Sequence, residues 1–194
     1  MTILNDSCEL CERLIQTRNY IVSGYGDPNA EIMFVGMAPG RNGADITGVP
    51  FTRDPSGLLF QECLINAGFS LESDPRNERP HLQGVYVTNL VKCNPKDECG
   101  RNRSPTPEEI KNCLPHFEKE LCDIDPKFVV LFGKIVTENI LKERILKFSE
   151  IHNKPRNIKN RILIPFIHPS YVIRGAYNRE KYIREISNLK NYFK

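Results

Sequence analysis

The sequence predicts an α/β domain of three layers, α/β/α, around a central, mostly parallel four-stranded sheet. Two observations carry the prediction. Four short runs are apolar and rich in β-branched or aromatic residues, without strict alternation: 32–35, 85–88, 128–132 and 162–167. Such runs suit strands covered on both faces. Segments with apolar residues at helical spacing lie between them, and strand–helix alternation implies a parallel sheet. The composition agrees. The chain has 194 residues, 40% hydrophobic and 26% charged, which argues against disorder, collagen and coiled coil. Its length suits one sizeable core. No repeat, low-complexity tract or linker divides it, so residues 1–194 read as a single domain.

The elements follow in order. After the first run, a helix begins near Asp54-Pro55-Ser56-Gly57 and continues to Asn66, with Gly68 as its stop. The second run, Val85-Tyr86-Val87-Thr88, precedes a long polar loop. The next helix has a clear start: Thr106 as N-cap, Pro107 at the first position and Glu109 closing a capping box. Ile110, Leu114, Phe117 and Leu121 mark its buried face. The third run is followed by Gly133-Lys134 and a helix carrying Ile135, Val136, Ile140 and Leu141. Pro165 interrupts the fourth run, which suggests an edge position or a bulge near its end. A last helix starts near Asn178 and carries Tyr182, Ile183, Ile186 and Leu189.

No run reaches the roughly 18 apolar residues of a membrane span. The segment from Met1 to Cys8 lacks a signal-peptide profile. A soluble, cytoplasmic protein is expected. Lys plus Arg is 27 and Asp plus Glu is 24, a net charge of +3, which permits a polyanionic partner without demanding one. Arg156, Lys159 and Arg161, with Arg174, Arg179 and Lys181, read first as a solvated basic surface.

Seven cysteines in a reducing compartment argue against a disulfide framework. Cys8-Glu9-Leu10-Cys11 is a closely spaced pair suited to metal. Cys93 and Cys113 flank the polar loop and complete a set of four thiolates for zinc or a [4Fe–4S] cluster. Cys99 lies inside the same loop and can replace one ligand. Cys63 and Cys122 read as buried free thiols.

In an open parallel sheet, ligands bind beyond the carboxyl ends of the strands. Each predicted strand is followed there by an unusual segment. The first leads into Gly36-Met37-Ala38-Pro39-Gly40 and on through Thr47-Gly48 to Val49-Pro50-Phe51. Backbone N–H groups at Gly36, Ala38 and Gly40 can face an anion or a carbonyl. The loop is neither a Walker phosphate loop nor a GxGxxG fingerprint. Phe51 is either core or a stacking platform for a flat ring. Asn89 either caps a strand or offers a donor and an acceptor to a planar edge. His168, before Pro169-Ser170, is either structural or a donor to a developing oxyanion.

These segments resemble the motifs of the uracil-DNA glycosylase superfamily. Gly36-Met37-Ala38-Pro39-Gly40 through Phe51 is similar to its first motif, and His168-Pro169-Ser170 to its last. Thr88 to Cys93, with Asn102-Arg103-Ser104-Pro105-Thr106-Pro107, resembles the middle motif of the iron–sulfur branches. The resemblance implies a DNA repair glycosylase acting on uracil in DNA, monomeric and carrying a [4Fe–4S] cluster on Cys8, Cys11, Cys93 and Cys113, with zinc the less favoured alternative. No lysine but Lys134, a weak candidate, is placed to suggest a Schiff base, so a monofunctional enzyme is expected. Phe51 would stack on the everted base, Asn89 would read its pairing edge, and His168 would bond O2 as charge develops. Ser170 belongs to the same motif. Tyr171 to Arg174 fall where the family inserts a loop into the minor groove. Met37 stands where the family 4 branch has Glu, which places the chain closer to family 5. Asp54 is then favoured as the water-activating carboxylate, with Asp45 second. Asp54 also reads as a helix N-cap. The rival readings are another deaminated base, such as hypoxanthine or xanthine, and an iron–sulfur nucleic-acid-binding protein without hydrolytic activity.

Overall fold

The computed structural model describes residues 7–193. The Met1–Asp6 stretch, on which the signal-peptide expectation largely rests, lies outside the described residues. In chain order the strands are β1 (Tyr25–Gly26), β2 (Ile32–Gly36), β3 (Val85–Asn89), β4 (Phe128–Phe132), β5 (Arg156–Ile158) and β6 (Arg161–Phe166). Every residue of β2, β3 and β4 is buried, as continuous apolar runs require. The sheet order is β1-β3-β2-β4-β6-β5. The four expected strands pair in parallel, β3 with β2, β2 with β4 and β4 with β6.

Among the described residues the sheet therefore has six strands rather than four. The two additions are antiparallel edges, β1 on β3 and β5 on β6. Both are short and partly exposed, so neither leaves an apolar run in the sequence. Such edges blunt a sheet against pairing with other chains. Pro165 sits inside β6, opposite Leu131 of β4, but β5 pairs only up to Leu163. Its missing N–H therefore faces no strand, which is how an inner strand tolerates it.

The helices are α1 (Glu12–Ile15), α2 (Ala44–Thr47), α3 (Pro55–Ala67), α4 (Pro107–Ile124), α5 (Lys134–Leu141), α6 (Pro169–Ile173) and α7 (Arg179–Asn188). α3, α4, α5 and α7 start where the sequence predicts. Asp54 caps α3 through Gly57 N, and Gly68 ends it. Thr106 and Glu109 close the expected capping box on α4. α1, α2 and α6 are single short turns, too brief to show a period.

Alternate residues of β2 feed two cores, and this makes the three layers. Ile32 and Phe34 pack with Leu59, Phe60, Tyr182 and Ile186 of α3 and α7. Met33 and Val35 pack with Leu14, Ile110, Phe117 and Val136 of α1, α4 and α5. Each large side chain so buried is worth about 1.5–3 kcal/mol. Cys63 is buried as expected, whereas Cys122 is exposed. Leu121 takes the partly buried position, and one residue further round the helix points Cys122 outward. The basic stretch is largely ion-paired: Arg156 with Glu143 at 2.7 Å, Arg161 with Asp125 at 2.5 Å, and Arg179 with Glu62.

Candidate active site

The loops after β2, β3, β4 and β6 meet at one end of the sheet around a cleft of about 490 Å³. Ala38, Gly40, Phe51, Asp54, Asn89, His168, Ser170 and Arg174 all line it. Gly36, expected to face the ligand, is not part of the lining and lies against Asn89 and Phe51 instead. A Cβ at Gly36 would come within 2.4 Å of Asn89 Oδ1 and 2.6 Å of Phe51 Cζ. Only glycine lets the amide and the ring approach each other there.

Asn89 is the last residue of β3 and pairs in register with Gly36. It is buried, so the sheet rather than its own rotamer entropy fixes its position. Phe51 has φ 55°, a left-handed conformation that is costly for a bulky side chain. Gln61 on α3 holds it there, donating from Nε2 to Phe51 O at 2.9 Å. The ring packs on Phe60 at 4.9 Å and Phe132 at 5.5 Å, with the His168 ring 6.1 Å away. Sequence reasoning missed Gln61, yet it is a buried polar residue inside an apolar helix run, and that is a readable signal.

The two candidate carboxylates separate. Asp54 Oδ1 accepts from Gly57 N at 2.7 Å as the N-cap of α3. Its other oxygen, Oδ2, lies against the glycine loop, where a Cβ at Gly40 would meet it at 2.6 Å. Capping and facing the cleft therefore coexist in one side chain. Burial, the larger influence, raises its pKa above the usual aspartate value, against the backbone N–H groups of Gly57 and Ser56.

Asp45 does not face the cleft. It is fully buried, and its carboxylate is consumed by structure. Asn19 N donates to Oδ1 at 2.9 Å, Asn19 Nδ2 donates to Oδ2 at 3.1 Å, and Lys96 Nζ lies 2.9 Å from Oδ2. The candidacy of Asp45 as water activator is thus corrected. Its position in the glycine loop is real, but α2 turns the side chain inward toward the N-terminal segment.

His168 N-caps α6. Ser170 N donates to its Nδ1 at 3.1 Å, and Ser170 Oγ is 2.9 Å from the same atom. An Nδ1 that accepts an amide hydrogen carries no proton, so the neutral ring has its proton on Nε2. The ring is half-buried at the cleft wall but deeply surrounded by protein. That burial first, and the charge of Arg174 second, push its pKa down to about 4. It is therefore a neutral donor at pH 7 rather than a cation. Arg174 and exposed Tyr171 stand beside it, with the guanidinium 4.9 Å from the Tyr171 ring centre. Lys134 also reaches the cleft, with Glu138 3.7 Å from its Nζ.

The loop following Cys93 is tied to the glycine loop. Asn94 Nδ2 donates to Pro39 O at 2.5 Å and to Asn102 Oδ1 at 2.9 Å, and Arg41 N donates to Asn102 Oδ1 at 3.0 Å. Asn94 and Lys96 were not singled out from sequence, because nothing local marks their partners some fifty residues away.

Cys8, Cys11, Cys93 and Cys113 line one small crevice between α1, α4 and the end of β3. Each sulfur has its own nitrogen neighbour: His116 Nε2 with Cys8 at 3.6 Å, Asn112 Nδ2 with Cys11 at 3.6 Å, Arg18 Nη1 with Cys93 at 3.5 Å, and Lys92 N with Cys113 at 3.2 Å. N–H groups directed at sulfur suit thiolate ligands. Cys99 is exposed and outside the crevice. Among the described residues no three His, Cys, Asp or Glu side chains close round one point as a single ion would need. Four thiols facing one crevice are the donor set that a [4Fe–4S] cluster takes, so the residues present fit that group.

Comparison with known proteins shows the family. The family described as the uracil DNA glycosylase superfamily matches residues 23–189. The Type-4 uracil-DNA glycosylase of Archaeoglobus fulgidus is 33% identical over 183 residues, covering 91% of this chain and 83% of that protein. The Type-5 uracil-DNA glycosylase of Thermus thermophilus is 36% identical over 154 residues, covering 70% and 68%. The Type-4 uracil-DNA glycosylase of Sulfurisphaera tokodaii is 35% identical over 195 residues, covering 93% and 80%. Both types therefore resemble this chain to a similar degree. With the motifs gathered at one cleft and the match spanning most of the sequence, the chain belongs to the uracil-DNA glycosylase superfamily.

Proposed function

We propose that this protein hydrolyses the N-glycosidic bond of uracil in DNA and leaves an abasic site. The observation that carries the reading is the meeting of Phe51, Asn89, Asp54 and His168 in one cleft. A base inside a duplex is out of reach, so the nucleotide must be everted, at a cost of a few kcal/mol that is least for a mismatch. Uracil opposite guanine is such a case. Phe51 offers a face for the flat ring, and Asn89 offers a donor and an acceptor to its pairing edge.

Bond cleavage leaves electron density on the departing pyrimidine. A neutral His168 with its proton on Nε2 is suited to bond the uracil oxygen as that charge develops. A preorganised donor of this kind is worth about 3–4 kcal/mol. The glycine-loop amides add to it. Asp54 Oδ2 is the carboxylate available to hold water for the sugar carbon. If the bond is largely broken before water attacks, this last contribution is the smaller one, which accommodates Met37 in the cleft wall. The reading takes the enzyme as a monomer and as monofunctional, with Lys134, the lysine that lines the cleft, beside Glu138 at 3.7 Å and given no Schiff-base role.

Cys8, Cys11, Cys93 and Cys113 would hold a [4Fe–4S] cluster, whose contribution is to cross-link the N-terminal segment to the loop after β3. That loop reaches the glycine loop through Asn94, so the ligands act on the cleft by holding its wall.

The test is incubation with oligonucleotides carrying uracil opposite guanine, hypoxanthine or xanthine, followed by alkaline cleavage at abasic sites. Uracil release is expected, with His168→Ala slower by about a hundredfold. Release of a purine alone, or a His168→Ala rate equal to wild type, would overturn the reading.

A further inference from the structure

A polar cluster behind His168 takes no part in the chemistry above. Ile167, the residue before His168, lies one position beyond the end of β6, where no strand pairs with it. Both of its backbone groups are nevertheless held, and by side chains from distant parts of the chain. Its N–H donates to His152 Nδ1 at 3.2 Å. Its C=O accepts from Tyr182 Oη at 3.0 Å.

Neither partner is free to swing. His152 Nε2 lies 3.0 Å from Tyr177 Oη and 3.1 Å from Glu185 Oε2. Tyr177 Oη in turn donates to the Glu185 carboxylate at 2.9 Å. The His152 ring stands edge-on to Phe166, with centroids 4.7 Å apart, and Tyr182 is edge-on to the same ring at 5.5 Å. Tyr182 is fully buried. Asn153 completes the turn with φ 54° and donates its N–H to Pro165 O at 2.7 Å. Because His152 Nδ1 accepts from Ile167, its ring carries the proton on Nε2 and gives it to Glu185 or Tyr177.

A few degrees of rotation at the Ile167–His168 peptide would be magnified along the His168 side chain. A donor to a developing charge must be held within about half an ångström of its place. We propose that His152 and Tyr182 are positioning residues for His168, clamping the peptide units on either side of Ile167 so that the imidazole keeps one orientation in the cleft. The inference rests on His168 acting on the substrate as described above. Neither residue reaches the cleft, so both act only through the backbone.

The test uses the full chain with wild-type iron content. Tyr182→Phe removes one hydroxyl and keeps the ring packing. His152→Phe removes the acceptor, and His152→Asn keeps a side-chain acceptor close to it. Excision of uracil opposite guanine is followed as kcat and KM, and the His168 ring nitrogens are followed by NMR. Tyr182→Phe and His152→Phe should each lower kcat about tenfold with KM essentially unchanged. His152→Asn should recover most of that loss, and the His168 ring resonances should move in both impaired variants. The inference is overturned if Tyr182→Phe keeps wild-type kcat, if KM rises while kcat holds, or if His152→Asn is as impaired as His152→Phe. Should His152→Phe fail to fold, Tyr182→Phe decides. Wild-type protein that releases no uracil would sink the glycosylase reading instead, and the His168 resonances would still report whether the clamp holds the ring.

Discussion

Lys96 Nζ, on a partly exposed side chain, lies 2.9 Å from Oδ2 of the fully buried Asp45, and this pair joins the loop after Cys93 to the short helix inside the glycine loop. Lys96 also donates to Thr17 O at 2.5 Å, and Asn19 donates to both oxygens of Asp45. Three segments distant in sequence are thus locked together beside the cleft. Replacing Asp45 with Ala leaves Asn19 N and Nδ2 without their acceptor and removes the partner of Lys96, whose partly exposed side chain can still reach water. Because Lys96 is partly exposed, the cost falls below the about 3–5 kcal/mol of breaking a pair buried on both sides. Thermal unfolding of Asp45→Ala should show a large fall in Tm. A variant with full stability and no activity would return Asp45 to the list of water activators.

Asp54 combines a cap with a carboxylate facing the cleft, and substitution can separate the two. Asn caps a helix about as well as Asp, so Asp54→Asn should keep the melting temperature and lose about tenfold in uracil excision, less than His168→Ala loses. Asp54→Ala should lose the activity and a further ~1 kcal/mol of stability. A wild-type rate in Asp54→Asn would leave the residue with its cap alone.

The depressed pKa of His168 makes a stability prediction with a definite sign. The folded-state value is about 4, below the ordinary histidine value of about 6.5. The unfolded chain therefore binds the proton more readily. Stability from this group is fully present above about pH 6.5 and is lost as pH falls toward 4. Its size is at most about 3 kcal/mol, reduced because the ring still touches the water of the cleft. Urea unfolding at pH 7.5, 5.5 and 4.5 should show wild type losing more stability on acidification than His168→Gln. Parallel pH slopes would contradict the burial argument.

Gly36→Ala should abolish excision without unfolding the chain. The new methyl group would meet Asn89 Oδ1 and Phe51 Cζ at 2.4 and 2.6 Å, displacing the two groups proposed to hold the base. Activity and circular dichroism measured together would check this, and wild-type activity would mean that the cleft is not where the base sits.

The cysteines allow a direct comparison. Cys93→Ser and Cys113→Ser should lose iron and the visible charge-transfer absorption of thiolate-bound iron, whereas Cys99→Ser should keep both. A colourless wild-type protein carrying stoichiometric zinc would replace the cluster by a single ion.

Local sequence determined much of this architecture. The runs at 32–35, 85–88, 128–132 and 162–167 became the four parallel strands, because a strand buried on both faces must be apolar at every position. Thr106-Pro107 and Asp54-Pro55 set helix starts by hydrogen bonds that reach only three residues. The residues after each strand were readable as one site because parallel strands bring their carboxyl ends to the same edge. Contacts across long separations were decided only by the tertiary structure. β1 and β5 owe their pairing to neighbours already in place. Asp45 and Asp54 are both acidic residues near one glycine loop, and only packing turned the first into a buried tie with Lys96 and left one oxygen of the second beside the cleft. Cys99 and Cys113 were alternatives in sequence, and folding put one in solvent and the other against Lys92 N. The clamp on Ile167 draws on residues 152 and 182, and no local pattern records it, since each hydrogen bond exists only when the chain has closed.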